Sequence, residues 1–189
     1  CTAACLNTAV RGGMFKRGET TNVIQKARIR KTNYFYDDRA GFMFDLMQDI
    51  KKGIRLANKL GLEPVFRLNG TSDLSWEKYE MTEGKNVFDV FAGIQFYDYT
   101  KVLGRKVKHI ENYHLTFSKA DGNDSDVAEA LLQGMSVVAV YDAIPAGVPS
   151  ADLDDLRFLD PKGVMLGLKA KGRAKKDYSG FVIRLTESA

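Results

Sequence analysis

The chain of 189 residues, with 44% apolar and 28% charged residues, has the composition of a globular protein and needs no more than one domain. No apolar run approaches the roughly 20 residues that cross a bilayer, so we expect no membrane partner. Two cysteines, Cys1 and Cys5, exclude a disulfide framework and indicate a reducing compartment, the cytoplasm.

Positive charge is concentrated near the N-terminus. Residues 1–31 hold seven Lys or Arg against one acid, Glu19, and so carry +6, whereas the whole chain carries +4. Such a cluster favours a polyanion or a phosphate-bearing ligand, or else forms a solvated basic face. We divide the single domain into a basic, cysteine-containing segment at 1–36, interpreted as truncated at its N-terminus, and a βα core at 37–189.

The core opens with the clearest helical pattern in the sequence. Apolar residues recur at intervals of three and four over 37–60, and Gly61 follows as a stop signal. Pro64 then precedes an apolar strand at 65–68, which ends in the turn-forming residues 69–73. The next predicted elements are a helix at 87–91, strands at 94–97 and 113–117, a helix at 127–133, and strands at 136–141 and 163–168.

This alternation of strands and helices predicts an α/β fold with a mainly parallel sheet, because parallel strands require crossover connections. Five or six strands are too few for a closed barrel. We therefore expect a partial (β/α) barrel, with an open doubly wound sheet as the alternative. In both folds ligands bind at the carboxyl ends of the strands.

Polar side chains follow the predicted strands at those ends, which we expect to gather around one shared cavity. Arg67 needs a partner such as Asp73 or Asp98, or else a phosphate or carboxylate of a ligand, because it ends a buried strand. The alternative for the Asn, Asp, Ser and Thr residues is capping of loops and helices, and the late lysines also suit a solvated loop. The predicted substrate-binding residues are Arg67, Asn69, Thr71, Asp73, Asp98, Thr100, Lys101, Ser118, Lys169 and Lys171.

Cys1 and Cys5 are the candidate metal ligands, because their spacing brings two thiolates to one side of a turn. Two thiolates do not complete a cluster site, and two unrelated thiols remain the alternative. We do not expect His109 or His114 to bind a metal.

Several strings in the sequence occur together in one family. They lie at 4–9, 11–12, 67–73, 96–101, 112–118, 155–161 and 168–172. Together they resemble the "gene product 88" domain family of tailed bacteriophages over nearly the whole chain. That resemblance implies a protein of the cytoplasm of the infected bacterial host.

Family members carry a further cysteine upstream, in a segment similar to those of radical-SAM proteins. This more distant resemblance implies that Cys1 and Cys5 bind a [4Fe–4S] cluster and that the strand ends hold S-adenosylmethionine and a polar or phosphate-bearing small molecule or nucleotide. Two features depart from the pattern: the first cluster cysteine is absent from the chain, and residues 149–152 lack an Asp-Gly-Asp.

The alternative function is binding of nucleic acid without catalysis. The basic N-terminal segment would contact phosphates, and nearby aromatic residues would stack on bases. Those aromatic residues are Phe15, Tyr34, Phe35 and Tyr36. The substrate, the reaction and the oligomeric state stay open at this stage.

Overall fold

The computed structural model describes residues 20–185 together with Met14 and Gly18. Cys1, Cys5 and much of the basic N-terminal segment lie outside the described residues. Among the residues described, no helix is both long and apolar enough to cross a bilayer.

Two long helices come before the first strand, and two short helices lie between later strands of the chain. They are α1 (Val23–Asp37), α2 (Arg39–Leu60), α3 (Val87–Val90) and α4 (Asp124–Leu132). The Asp38 side chain accepts from the N–H of Gly41 at the start of α2, and Gly61 ends α2 in the left-handed conformation with φ of 65°. The predicted helix at 37–60 is thereby confirmed, whereas α1 was not predicted because its sequence is mostly polar.

The strands form one mainly parallel sheet and one hairpin. The strands are β1 (Val65–Phe66), β2 (Glu80–Thr82), β3 (Lys85–Asn86), β4 (Gln95–Thr100), β5 (Tyr113–Ser118), β6 (Val137–Tyr141), β7 (Met165–Lys169) and β8 (Val182–Ile183). The sheet has the order β1-β4-β5-β6-β7, with β8 paired to β6, and all of these pairings are parallel. β2 and β3 form the antiparallel hairpin. A mixed α/β fold with a mainly parallel sheet is confirmed.

The two faces of the sheet are covered differently. On the helix face, Phe96, Tyr113 and Leu115 pack with Met43 and Ile50 of α2 in one buried cluster. Further along the same face, α4 covers the strands β5 and β6. Helical crossovers therefore bury this face as the βα pattern predicts.

The opposite face, which we call the loop face, lies beneath residues 149–163, the covering segment. Ala151 of this segment packs with Val138 and Leu166, and the Phe158 ring lies 5.7 Å from that of Tyr97. The segment contains one short 3₁₀ helix, Arg157–Leu159, which packs on β5. A stretch of chain without an α-helix thus covers the face that carries the tyrosines of β4.

Strand β4 is longer than its predicted bounds of 94–97. Asp98, Tyr99 and Thr100 continue the strand, with Asp98 opposite Leu115 and Thr100 opposite Phe117. The prediction stopped too early because Asp98 and Thr100 are polar, although both are buried on the helix face. A hydrogen-bonding partner makes a buried polar strand residue tolerable, and sequence alone does not reveal that partner.

Candidate functional site

Polar residues at the carboxyl ends of β1 and β4 divide between the two faces of the sheet. Phe66 pairs with Phe96 on the helix face, so Arg67 points to the loop face. Asp98 and Thr100 point to the helix face. The predicted site residues therefore do not surround one shared cavity.

Asn69 organises the loop after β1. Its side-chain oxygen accepts hydrogen bonds from Ser72 Oγ, Leu74 N–H and Trp76 Nε1–H at 2.8, 3.0 and 3.1 Å. Its Nδ2 donates to the carbonyl of Leu74, and its backbone N–H donates to Asp98 Oδ1 at 2.7 Å. Asn69 is 2% exposed, and these bonds match the capping alternative for this residue.

Asp73 is bound to the chain just after β4. Its Oδ2 accepts from Thr100 Oγ1 at 3.1 Å and from the backbone N–H of Lys101 at 2.7 Å. Its Oδ1 lies 3.5 Å from Nη1 of Arg105. Asp73, Thr100 and Lys101 are thus brought together by hydrogen bonds within the chain.

Arg105 is a buried cation that sequence analysis missed. Its side chain is 2% exposed, its Nε donates to Glu77 Oε1 at 3.1 Å, and its Nη2 contacts both Glu77 and the hydroxyl of Tyr113. The Tyr113 hydroxyl in turn donates to Asp98 Oδ2 at 3.1 Å. Burial raises the pKa of Asp98 to about 6, against the lowering effect of the hydrogen bonds from Asn69 and Tyr113.

The loop face carries a different arrangement, centred on the carboxylate of Asp155. Arg67 Nη1 lies 2.9 Å from Oδ2, the Tyr97 hydroxyl donates to the same oxygen at 3.3 Å, and the Tyr99 hydroxyl donates to Oδ1 at 2.7 Å. The Arg67 guanidinium also stacks on the Tyr99 ring, 4.5 Å from its centre. Three donors on one carboxylate form an anion-recognition geometry.

Both tyrosines of this arrangement remain proton donors at neutral pH. Burial raises the pKa of Tyr97, and Asp155 raises it further. Burial, the hydrogen bond to Asp155 and its charge raise the pKa of Tyr99 as well. Arg67, Tyr97 and Tyr99 can therefore bind an anion, whereas a role for either tyrosine as a base at neutral pH is disfavoured.

Beside these donors lie buried polar atoms without a hydrogen-bond partner in the described part of the chain. They include His114 Nε2, Thr116 Oγ1 and Arg157 Nε. Arg157 is 1% exposed and forms ion pairs with Asp154 and Asp160 of the covering segment. An unpartnered buried polar atom costs about 1–3 kcal/mol, so such atoms are uncommon outside ligand and water sites.

The other predicted site residues lie elsewhere. Thr71 is exposed in an open groove against Gln25 and Arg28 of α1. The carbonyl of Ser118 accepts from Asn123 Nδ2 at 3.1 Å. Lys169 and Lys171 are both bound to one carboxylate, Asp152, through the backbone N–H of Lys169 at 2.8 Å and through Nζ of Lys171 at 2.7 Å. Whether these residues bind a substrate stays a prediction.

The predicted metal ligands, Cys1 and Cys5, lie outside the described residues. Among the residues that the structure describes, no group of three or more His, Cys, Asp or Glu side chains is placed to hold a metal ion. The cluster hypothesis therefore keeps its basis in the sequence alone.

Sequence analysis missed Tyr97, Tyr99, Asp155 and Arg157 as candidate site residues. Two signals were present. The tyrosines alternate with Asp98 at the spacing of a strand whose two faces differ. Asp155 and Arg157 lie in the string 155–161, which was used only to recognise the family.

A comparison with protein families matches gene product 88 over residues 1–185, which is nearly the whole chain. The chain belongs to the gene product 88 family. No curated protein and no solved structure matches the chain. The bacteriophage family predicted from the sequence strings is thus confirmed, and the arrangement around Asp155 lies within the matched region.

Proposed function

We propose that this gene product 88 protein is an enzyme that binds a polar, phosphate-bearing small molecule or nucleotide on the loop face, at the carboxyl ends of β1 and β4. The observation that carries the proposal is the anion-recognition geometry of Arg67, Tyr97 and Tyr99. A soluble phage enzyme of this kind would act in the cytoplasm of the infected bacterial host.

The position of these donors in the fold supports the proposal. Ligands of parallel α/β folds bind beyond the carboxyl ends of the strands, where connecting loops meet. The neighbouring strands of this sheet follow one another in chain order, from β1 through β4, β5 and β6 to β7. We propose that this order reflects a partial (β/α) barrel whose concave side is the loop face.

Arg67 is the residue that we assign to the anion. Its planar guanidinium presents several N–H donors in fixed directions, which suits phosphate and carboxylate groups. Its Nε donates to the carbonyl of Asn69 at 3.1 Å, and the Tyr99 ring supports its flat side. These two contacts orient the guanidinium towards the loop face.

The ligand assignment is tested by titrating nucleoside mono-, di- and triphosphates into the purified protein with calorimetric detection. We expect at least one of them to bind, and Arg67→Gln to weaken its binding by about tenfold or more, since a charge-assisted bidentate contact is lost. Arg55→Gln, which removes an exposed arginine of α2 on the helix face, is the matched control. Equal affinities for the wild type and Arg67→Gln would contradict the assignment.

The reaction type that we propose is that of a radical-SAM-like iron–sulfur enzyme. A cluster with bound S-adenosylmethionine supplies radical chemistry, and Cys1 and Cys5 would be two of its thiolate ligands. A cluster of this type takes three thiolates, and the sequence contains two cysteines. The contribution of the described residues is to bind and orient the substrate on the loop face.

Iron and acid-labile sulfide contents of the natural full-length protein, purified without oxygen, test the cluster. We expect brown protein with about four irons per chain, and loss of that iron in a Cys1→Ala, Cys5→Ala variant. Colourless protein without iron after anaerobic reconstitution would contradict iron–sulfur chemistry and leave the ligand assignment standing.

A second candidate function, binding of nucleic acid, is supported by the exposed cations Lys26, Arg30 and Lys31 on α1. Of the aromatic residues assigned to base stacking, Tyr36 is 63% exposed, but Phe35 is buried in the core and cannot stack on a base. Binding to random single-stranded oligonucleotides at increasing salt tests this candidate. Absence of affinity at low salt would contradict it.

A further inference from the structure

We infer that Asp155 is an internal occupant of an anion site formed by Arg67, Tyr97 and Tyr99, and that the ligand's phosphate or carboxylate replaces it when the covering segment lifts from the sheet. This inference rests on the proposed function and specifies how its site opens. The ligand class is a phosphate- or carboxylate-bearing molecule that carries further hydrogen-bonding groups.

The site keeps its shape without Asp155, because other contacts hold each donor. Tyr97 and Tyr99 belong to β4, an inner strand of the sheet, and both lie within its parallel pairing with β5. Arg67 is held by the carbonyl of Asn69 and by the Tyr99 ring. An external anion would therefore find three donors already in place, which lowers the entropic cost of binding.

Asp155 belongs to a part of the chain that can move separately from the sheet. Its side chain is 50% exposed. On the N-terminal side, two backbone hydrogen bonds attach the covering segment to the sheet: Ala151 N–H donates to the carbonyl of Gly167, and Gly167 N–H donates to the carbonyl of Pro149. On the C-terminal side, the carbonyl of Pro161 accepts from Ser136 Oγ at 2.7 Å. The stretch between these attachments can open locally while both ends stay bound.

The unpartnered atoms beneath this stretch are an independent indication of a ligand. His114 lies opposite Tyr97, and Thr116 lies opposite Tyr99, so their side chains share the loop face with the anion site. Within the part of the chain that the structure describes, Thr116 Oγ1 beneath this stretch and Arg157 Nε in the stretch itself have no hydrogen-bond partner, and Thr116 and Arg157 are at least 99% buried. A ligand with hydroxyl or amide groups beside its anion would supply the missing partners.

The competing explanation is that Asp155 only fastens the covering segment to the sheet. The two roles differ in what happens when the carboxylate is removed. An internal occupant leaves behind a site that takes up anions from solution, whereas a fastening residue leaves only a weaker protein. Anions that bind the folded chain stabilise it by mass action, so thermal unfolding reports their binding.

The test compares the thermal unfolding of Asp155→Ala in phosphate, acetate and chloride at equal ionic strength. Relative to chloride, we expect phosphate or acetate to raise the unfolding temperature of Asp155→Ala by about 3 °C or more beyond the rise that the same anion gives the wild type. The stronger of the two anions identifies the ligand group as phosphate or carboxylate. Asp49→Ala is the matched control, because it also removes a carboxylate paired with a cation, Lys52, but lies on α2, away from Arg67, Arg157 and the tyrosines.

A response of Asp155→Ala no larger than that of Asp49→Ala would overturn the inference, as would an unchanged response in the double variant with Arg67→Gln. If Asp155→Ala does not fold, Asp155→Asn keeps the shape of the side chain and removes its charge. The same comparison then applies to it.

The nucleotide titration separates this inference from the proposed function. If a nucleotide binds, Asp155→Ala should bind it about threefold more tightly or better, because the internal competitor is gone. Binding to the wild type without tightening in the variant would contradict the inference alone. Anion stabilisation of Asp155→Ala with no nucleotide bound by either protein would contradict the proposed nucleotide and support the anion site.

Discussion

The backbone N–H of Asn69 donates a hydrogen bond to Asp98 Oδ1 at 2.7 Å, and both residues are buried. This bond joins the loop after β1 to the middle of β4. It also makes Asp98 part of the structure on the helix face, so that the carboxylate available for exchange with a ligand is Asp155 on the other face. Asp98 therefore contacts the loop after β1 on the helix face, whereas its neighbours Tyr97 and Tyr99 contact Asp155 on the loop face.

Asn69→Ala should destabilise the fold by about 3 kcal/mol, because three donors to its side-chain oxygen lose their acceptor in a buried loop. Trp76 is one of those donors and is the only tryptophan in the sequence. Its fluorescence during urea unfolding therefore measures the effect and the local rearrangement together. Ser72→Ala, which removes one of the three donors and leaves the acceptor of Asn69 in place, is the control and should lose less. A loss below about 1 kcal/mol for Asn69→Ala would contradict this role.

The pair of Arg105 and Glu77 should behave as a coupled unit. Arg105→Met leaves Glu77 buried without its cation and should cost about 3–5 kcal/mol in the free energy of unfolding. The double variant with Glu77→Leu should lose clearly less than the two single variants added together. Additive losses in this double-mutant cycle would show that the two side chains do not stabilise each other.

Asp98 should make the protein more stable as the pH falls from 7.5 towards 4.5. Its pKa is raised to about 6 in the folded chain, so the folded state binds a proton before the unfolded state does. The stabilisation that Asp98 adds to the free energy of unfolding is fully present below the ordinary carboxyl pKa and amounts to about 3 kcal/mol there. It is lost as the pH rises through about 6. Asp98→Asn should remove this dependence, measured as the difference in unfolding free energy between the wild type and the variant at each pH.

His114 should have the opposite effect on stability. Burial lowers its pKa, with further lowering by Lys162 and Arg157, so the unfolded chain takes up a proton that the folded chain does not. Stability is therefore lost as the pH falls through the ordinary histidine range near about 6.5. Between pH 7.5 and 5.5, the His114→Gln variant should lose less unfolding free energy than the wild type. Equal losses in the two proteins would contradict burial of a neutral imidazole.

Much of the fold could be predicted from periodicity and turn residues. The helix before Gly61, the strands around Phe96 and Leu115 and the strand at Val137 all follow local patterns that packing reinforces. Helix α1 could not be recognised in the same way, because only Gln25 and Phe35 of its residues are buried. The strands β2, β3 and β8 have only three, two and two residues, which is too short for a periodic pattern to show in the sequence.

Of the residues around Asp155, only Arg67 was among the predicted site residues. Arg67 was expected to need a carboxylate or a ligand, but its partner, Asp155, lies 88 residues away and was not considered. Asp98 and Thr100 were assigned to a loop at one cavity, because single residues do not show which face of a sheet they occupy. Neighbouring residues of a strand point to opposite faces of the sheet. The face that each polar residue occupies is therefore fixed only once it is known that β4 extends to that residue.

The most direct test of the loop-face site is nuclear magnetic resonance of protein with ¹³C-labelled tyrosine rings, titrated with the tightest ligand from the nucleotide series. Tyr97→Phe and Tyr99→Phe assign the two signals, and the exposed Tyr178 is the internal reference. We expect the Tyr97 and Tyr99 signals to move in proportion to the bound fraction while the Tyr178 signal stays in place. Saturable binding that leaves the Tyr97 and Tyr99 signals unmoved would place the ligand elsewhere and contradict the account.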